Sequence, residues 1–183
     1  MAEQYPELSD GLINFIERQS LFFTGTARSE GRVNVSPKGT DSLRILSNRQ
    51  LVWRNLTGSG NETAAHLLEN KRMTIMFCAF DKKPLILRLY GTACAIHPRD
   101  KDWHKYLDLF SAHTGTRQFF VMDIDLVQTS CGFAVPLMNF VGERGSLDTW
   151  SEKKGEEGIR DYWKEQNSLS LDGFDTAILP ADS

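Results

Sequence analysis

An apolar run, Leu51 to Leu56, breaks into Thr57-Gly58-Ser59-Gly60 and passes directly into a short helical pattern. A glycine-rich turn entering a helix presents unpaired backbone N–H groups at the positive end of the helix dipole. Phosphate is the commonest small partner for such a place. Asn61 is suited to cap the helix expected over Glu62–Asn70, so Ser59, Gly60, Asn61 and Thr63 become candidate anion-binding residues. A plain turn before a capped helix has the same pattern, and both readings stay open. Glu62 falls in the first helical turn, where its charge opposes an anion, so compensating cations must come from elsewhere. Arg32, Lys38, Arg54, Lys71 and Arg72 lie on flanking segments that a barrel could bring together.

Upstream, the run Arg32–Val35 ends at Ser36-Pro37-Lys38-Gly39: a hydroxyl, a rigid turn, a cation and a flexible residue. Such a stretch can follow the edge of a ligand, or it can be a strand-ending turn with a solvated lysine. Arg54 and Asn55 interrupt an apolar strand between Trp53 and Leu56, and Arg88 does the same in LILRLYG. A charge facing inward needs a partner, whereas strict alternation could send either arginine to solvent. Cys131 has no base or cation beside it in sequence and reads as packing or pocket lining, not as a nucleophile. The chain lacks the hydrolase, P-loop, zinc-protease and dinucleotide-fold signatures, so any redox chemistry must come from a cofactor.

The elements that must position these residues are mostly short strands. Leu8, Leu12, Ile13 and Ile16 predict a helix over about Ser9–Gln19, capped by Ser9 or Asp10. Strands are expected at LFFTGTA, at RVNVS after the Ser29-Glu30-Gly31 corner, at Leu43–Leu46, Leu51–Leu56, Met73–Phe80 and Leu85–Ile96, then at Gln118–Val127 and Thr129–Val135. Trp103, Tyr106, Leu107 and Phe110 predict a helix after Pro98, and a charged, partly helical tail runs from Trp150 to Gln166. Strands in succession with inserted helices indicate a mainly β, antiparallel barrel with appended α-helices, not a doubly wound sheet. The 183 residues fit one domain, with 150–183 as a tail packing on the barrel or on a partner.

A formal net charge of −3 without a basic run argues against nucleic-acid binding. No apolar stretch is long enough to span a membrane and no leader pattern is present, which predicts a cytoplasmic protein. Three scattered cysteines and four histidines provide neither a disulfide framework nor metal-ligand spacing.

The ordered segments N-V-S-P-K-G, W-R-N, G-S-G-N-E-T-A-A-H-L, L-R-L-Y-G-T-A and C-G-F-A-V-P-L-M resemble the pyridoxamine 5′-phosphate oxidase-like proteins. The resemblance implies a Greek-key split barrel, usually a homodimer, with FMN in grooves at the dimer interface. It implies that Val35, Ser36, Pro37 and Lys38 border the ring and ribityl chain, with Arg54 and Asn55 on the adjoining strand. Arg54 or Lys38 would then serve the flavin N1–O2 edge. Arg88 joins the candidate set, and Arg144 and Trp150 would cap the cofactor from the partner subunit. Asn61-Glu62-Thr63 stands where oxidases of the family carry Ser-Arg-Lys against the FMN phosphate. The end of the chain, acidic and without cations after Lys164, lacks the basic segment that grips a phosphorylated substrate. The implied activity is an FMN-dependent oxidoreductase acting on an unidentified small molecule, not pyridoxamine phosphate oxidation. The alternatives are a non-catalytic binder of FMN or another phosphorylated cofactor, and a deazaflavin or haem protein, for which His66 would be the residue to test.

Overall fold

The computed structural model describes residues 2–180. In chain order its elements are β1 (Glu3–Tyr5), α1 (Asp10–Glu17), β2 (Phe22–Thr26), β3 (Asn34–Lys38), β4 (Leu43–Ser47), β5 (Gln50–Leu56), α2 (Glu62–Glu69), β6 (Arg72–Cys78), β7 (Ile86–Ile96), α3 (Trp103–Leu107), β8 (Thr116–Ser130) and α4 (Ser146–Tyr162), which continues into a π-helical turn, Trp163–Asn167. The strands pair antiparallel in the order β3-β2-β6-β7-β8-β5-β4, and β1 pairs with β8.

The connection between β3 and β4 forces this sheet to coil. These strands are the two ends of the hydrogen-bonded path, yet only residues 39–42 join them. A linker of that length reaches about 18 Å, whereas six strand spacings of ~4.8 Å would hold flat edges about 29 Å apart. The sheet therefore wraps on itself without closing, which is a split barrel. Its interior is filled by Leu51, Trp53, Ile75, Phe77, Leu87, Leu89, Phe120 and Met122, with Ala64 and Leu67 of α2 packed against them. The opposite face of β5 and β8 offers Val52, Phe119 and Val121 to Trp103, Tyr106 and Phe110.

Two local expectations change. The two strands expected from Gln118 to Val135 are one, Thr116–Ser130, because Gln128–Ser130 continue to pair with Ile86–Arg88. The break comes at Gly132, whose positive φ of 65° turns the chain out of the sheet into an irregular segment. Ser36-Pro37-Lys38 is not the turn itself; it forms the last three paired residues of β3, opposite Thr24, Phe23 and Phe22. Proline is tolerated because β3 is an edge strand and needs no outward N–H donor. The turn follows at Gly39–Asp41, where Thr40 and Asp41 adopt φ of 57° and 49°.

Candidate functional site

Asn34, Ser36 and Lys38 of β3, Trp53 and Asn55 of β5, Gly58–Asn61, Glu62 and Thr63 at the start of α2, and Arg117 of β8 enclose a cavity of about 340 Å³. Strand alternation accounts for the contributions of β3 and β5. Asn34, Ser36 and Lys38 share one face of β3, while Val35 and Pro37 point out to solvent. On β5, Trp53 and Asn55 face the cavity, so Arg54 between them faces away.

Arg117 arrives differently. Asn55 pairs with Gln118 and Leu56 with Thr116, so Arg117 is the extra residue of a β-bulge. A bulge re-aims a side chain that regular alternation would send to the other face. Arg117 and Gln118, neighbours in sequence, are both buried, at 3% and 0% exposure. Arg117 Nε and Nη2 donate to Asn55 Oδ1 at 3.1 and 2.7 Å, and Nη1 donates to Asn167 Oδ1 at 2.7 Å. Both acceptors are neutral amides. A buried cation normally carries a carboxylate partner, and Arg117 has none among the described residues. Burial pushes its pKa down to about 9, which leaves it charged at neutral pH.

Lys38 is a second cation without a carboxylate partner among the described residues; its ammonium sits 5.1 Å from the centre of the Trp53 ring. Burial first, and the charge of Arg117 second, pull it from 10.5 to about 8. Two cations held close together out of water raise the local potential and favour an anion between them. Asn61 occupies the cap position of α2, but its side chain makes no cap bond. Its Oδ1 accepts from Gln118 Nε2 at 2.6 Å instead, and its Nδ2 is buried without a partner among the described residues. The Ala64 N–H donates to the Asn61 carbonyl at 3.1 Å, and the N–H groups of Glu62 and Thr63 are left without an acceptor among the described residues, beside an orphaned amide donor. Glu62 is drawn aside, accepting from the backbone N–H of Leu171 at 2.9 Å.

The C-terminal segment closes this corner. Trp163 Nε1 donates to Thr57 Oγ1 at 2.8 Å, Asn167 Nδ2 donates to the Gly58 carbonyl at 3.0 Å, and Asp172 pairs with Arg32. The donor set of Arg117, Lys38, Asn61 Nδ2, hydroxyls and helix N–H groups fits an oxyanion such as a phosphate monoester.

Residues 9–131 match the family model described as Pyridoxamine 5′-phosphate oxidase. A pyridoxamine 5′-phosphate oxidase family protein of Aspergillus flavus, ustO, is 37% identical over 190 residues, spanning 93% of this chain and 76% of its own length. The chain belongs to the pyridoxamine 5′-phosphate oxidase family. Two solved structures share the fold at low identity. A Lactobacillus delbrueckii protein described as a pyridoxamine 5′-phosphate oxidase candidate has a TM-score of 0.55, 18% identity, and covers 67% of this chain and 94% of its own. HupZ of Group A Streptococcus has a TM-score of 0.51 and 18% identity, over 65% and 91%.

Of the candidate residues in this family member, the fold brings Ser36, Lys38, Asn55, Ser59, Gly60, Asn61 and Thr63 around one cavity. Val35 and Pro37 are outward on the same strand. Arg54 lies on the opposite face of β5, where Nη1 donates to the Ser111 carbonyl at 2.6 Å and the guanidinium sits 4.9 Å from the Phe110 ring centre. Arg88 donates to Ser130 Oγ at 3.2 Å on the β7–β8 surface. Arg144 is exposed, and Trp150 packs edge-on against Tyr162. His66 is buried in α2 against Thr26 Oγ1, at 3.0 Å. Arg117 was absent from the candidate cations because only the bulge, which no local pattern announces, turns it inward.

Proposed function

We propose that this family member binds FMN, with its phosphate in the cavity of Arg117 and Lys38, and acts as an oxidoreductase on a small molecule. The observation that carries this reading is the buried Arg117 guanidinium facing the cavity with neutral amides as its only acceptors among the described residues. When bound, the flavin supplies hydride and electron transfer. The chain's own residues anchor and orient it: Arg117, Asn61 and the α2 N-terminus toward the phosphate, and Ser36 and Lys38 along the β3 wall. The cavity wall carries cations, amides and hydroxyls, and its one carboxylate, Glu62, is engaged by Leu171. No protein acid or base is therefore assigned to turnover. The same observation suits a non-catalytic FMN binder, which would bind flavin without accepting electrons from any reductant. The cation-free tail after Lys164 disfavours a second anionic ligand as substrate, so pyridoxamine phosphate oxidation is not the activity proposed.

A homodimer belongs to the same proposal. Phe133, Leu137, Met138, Phe140 and Val141 are all more than half exposed, with Val141 at 98%, and such a patch suits an interface. Arg144 and Trp150 would meet the flavin only across that interface. A cytoplasmic setting accords with three free cysteines, and no helix among the described residues is long and apolar enough to cross a membrane.

The direct test is the visible spectrum of freshly purified protein with release of its chromophore. A flavin double band and released FMN are expected; a colourless protein that fails to quench added FMN fluorescence would sink the reading.

Lys38 makes this site pH-dependent in a definite direction. A bound phosphate stabilises charged Lys38 and raises its pKa above the free value of about 8. Affinity is then fully present below that pKa and lost as pH rises through it. FMN affinity should be level from about pH 6.5, where the phosphate is largely dianionic. Above about 8 it should fall, approaching one decade per pH unit. Lys38→Met should remove that onset and lower neutral-pH affinity by about tenfold. Fluorescence-quenching titrations across the range check both; an unshifted onset in the variant defeats the assignment.

A further inference from the structure

Asn167 lies beyond the matched family segment, in the π-helical turn after α4, yet it is fully buried at 0% exposure. Its Oδ1 takes the Nη1 donor of Arg117 at 2.7 Å, and its Nδ2 holds the Gly58 carbonyl at 3.0 Å. One amide thus joins the buried cation to the glycine loop that precedes α2. Thr176 Oγ1 donates to the Asn167 carbonyl at 2.6 Å and secures the turn. An aspartate would have the same shape here and would give Arg117 the carboxylate that buried guanidiniums ordinarily have. The chain instead places asparagine on this side and Asn55 on the other. Both clamp the guanidinium by hydrogen bonds and leave its charge unspent. Three of its five N–H donors are occupied by these amides, which leaves two for a ligand.

We propose that Asn167 is a positioning residue that keeps the charge of Arg117 uncompensated, so that the C-terminal segment sets the preference of the site for a phosphorylated over an unphosphorylated flavin. This rests on the FMN reading of the cavity. The groups around Arg117 are Asn55 and Gln118 from the barrel strands, Lys38 and Glu62 on the cavity wall, and Asn167 and the Tyr162 phenol from the C-terminal segment. A carboxylate introduced at 167 is therefore the nearest opposite charge. It would neutralise Arg117 for any incoming phosphate while leaving riboflavin, which has no phosphate, little affected.

The experiment compares FMN and riboflavin binding by fluorescence quenching to the full chain and to Asn167→Asp and Asn167→Ala. The wild-type chain should prefer FMN by about 300-fold or more, the scale of the two charge-assisted Arg117 contacts that riboflavin cannot make. Asn167→Asp should shrink that ratio by about 30-fold or more, through lost FMN affinity alone. Asn167→Ala, which loosens the loop without adding charge, should weaken both ligands by similar factors and keep the ratio. A merely structural role predicts the same ratio in all three. A wild-type ratio in Asn167→Asp overturns this inference alone, whereas absence of FMN preference in the wild-type chain overturns the FMN reading with it. Should Asn167→Asp fail to fold, Asn55→Asp places the same charge on the other side of Arg117. It faces only donors there, from Arg117 and Gln118, and its ratio decides the matter in the same way.

Discussion

Arg117→Met should purify without flavin, and its FMN affinity should fall by about 300-fold while the fold survives. The loss follows from two guanidinium N–H groups that no acceptor among the described residues uses. Two charge-assisted bonds to phosphate contribute about 3–4 kcal/mol together, and each 1.4 kcal/mol is about tenfold. Stability should move little because two effects oppose each other. Removing a buried cation that has no carboxylate partner relieves its desolvation cost. The variant leaves Asn167 Oδ1 without its donor, at about 1–3 kcal/mol, while Asn55 Oδ1 keeps Gln118 Nε2 at 3.1 Å. A thermal midpoint within a few degrees of wild type, together with a colourless protein, is the expected pair of results. Stoichiometric FMN in the purified variant would remove Arg117 from the site.

Much of the barrel is legible in local pattern. The Ser9 hydroxyl accepts from the Leu12 N–H and opens α1 where apolar spacing begins. The alternating runs of β2, β6 and β7 lie within a few residues of their expected limits. The loop before α2 announces itself through glycine and the loss of alternation. The cations of the cavity do not, because their placement depends on register between distant strands. Arg54 stands near the end of one apolar strand and Arg117 at the start of another. One regular step sends Arg54 to the Phe110 face, and one bulge sends Arg117 into the cavity. The clamp on Arg117 comes from Asn167, 50 residues along the chain. Short-range signals such as caps and periodicity cannot encode that meeting; only the folded tail supplies it.

Gly91→Ala carries the largest expected loss of stability, and it tests how the sheet positions this site. Gly91 lies in β7 opposite Ile124, where the β7–β8 register skips a residue. A Cβ there would stand 1.9 Å from the Asp123 carbonyl oxygen and 3.1 Å from Ile124 Cα. Both are backbone atoms of the longest strand, so no rotamer change relieves the overlap, and β8 must move. Overpacking commonly costs 1–3 kcal/mol, and backbone displacement places this case at about 3 kcal/mol or more. For a chain of this size that lowers the thermal midpoint by about 6–12 °C. Gly145→Ala is the control, because a Cβ there meets nothing within 4 Å. FMN in excess should restore part of the lost midpoint, since a ligand at 100 times its Kd stabilises the folded chain by about 2.7 kcal/mol. Adding Arg117→Met to Gly91→Ala should abolish that recovery without deepening the loss much. If FMN still rescued the double variant, the flavin would be held elsewhere, and the coil of β7 on β8 would no longer be what delivers Arg117 to it.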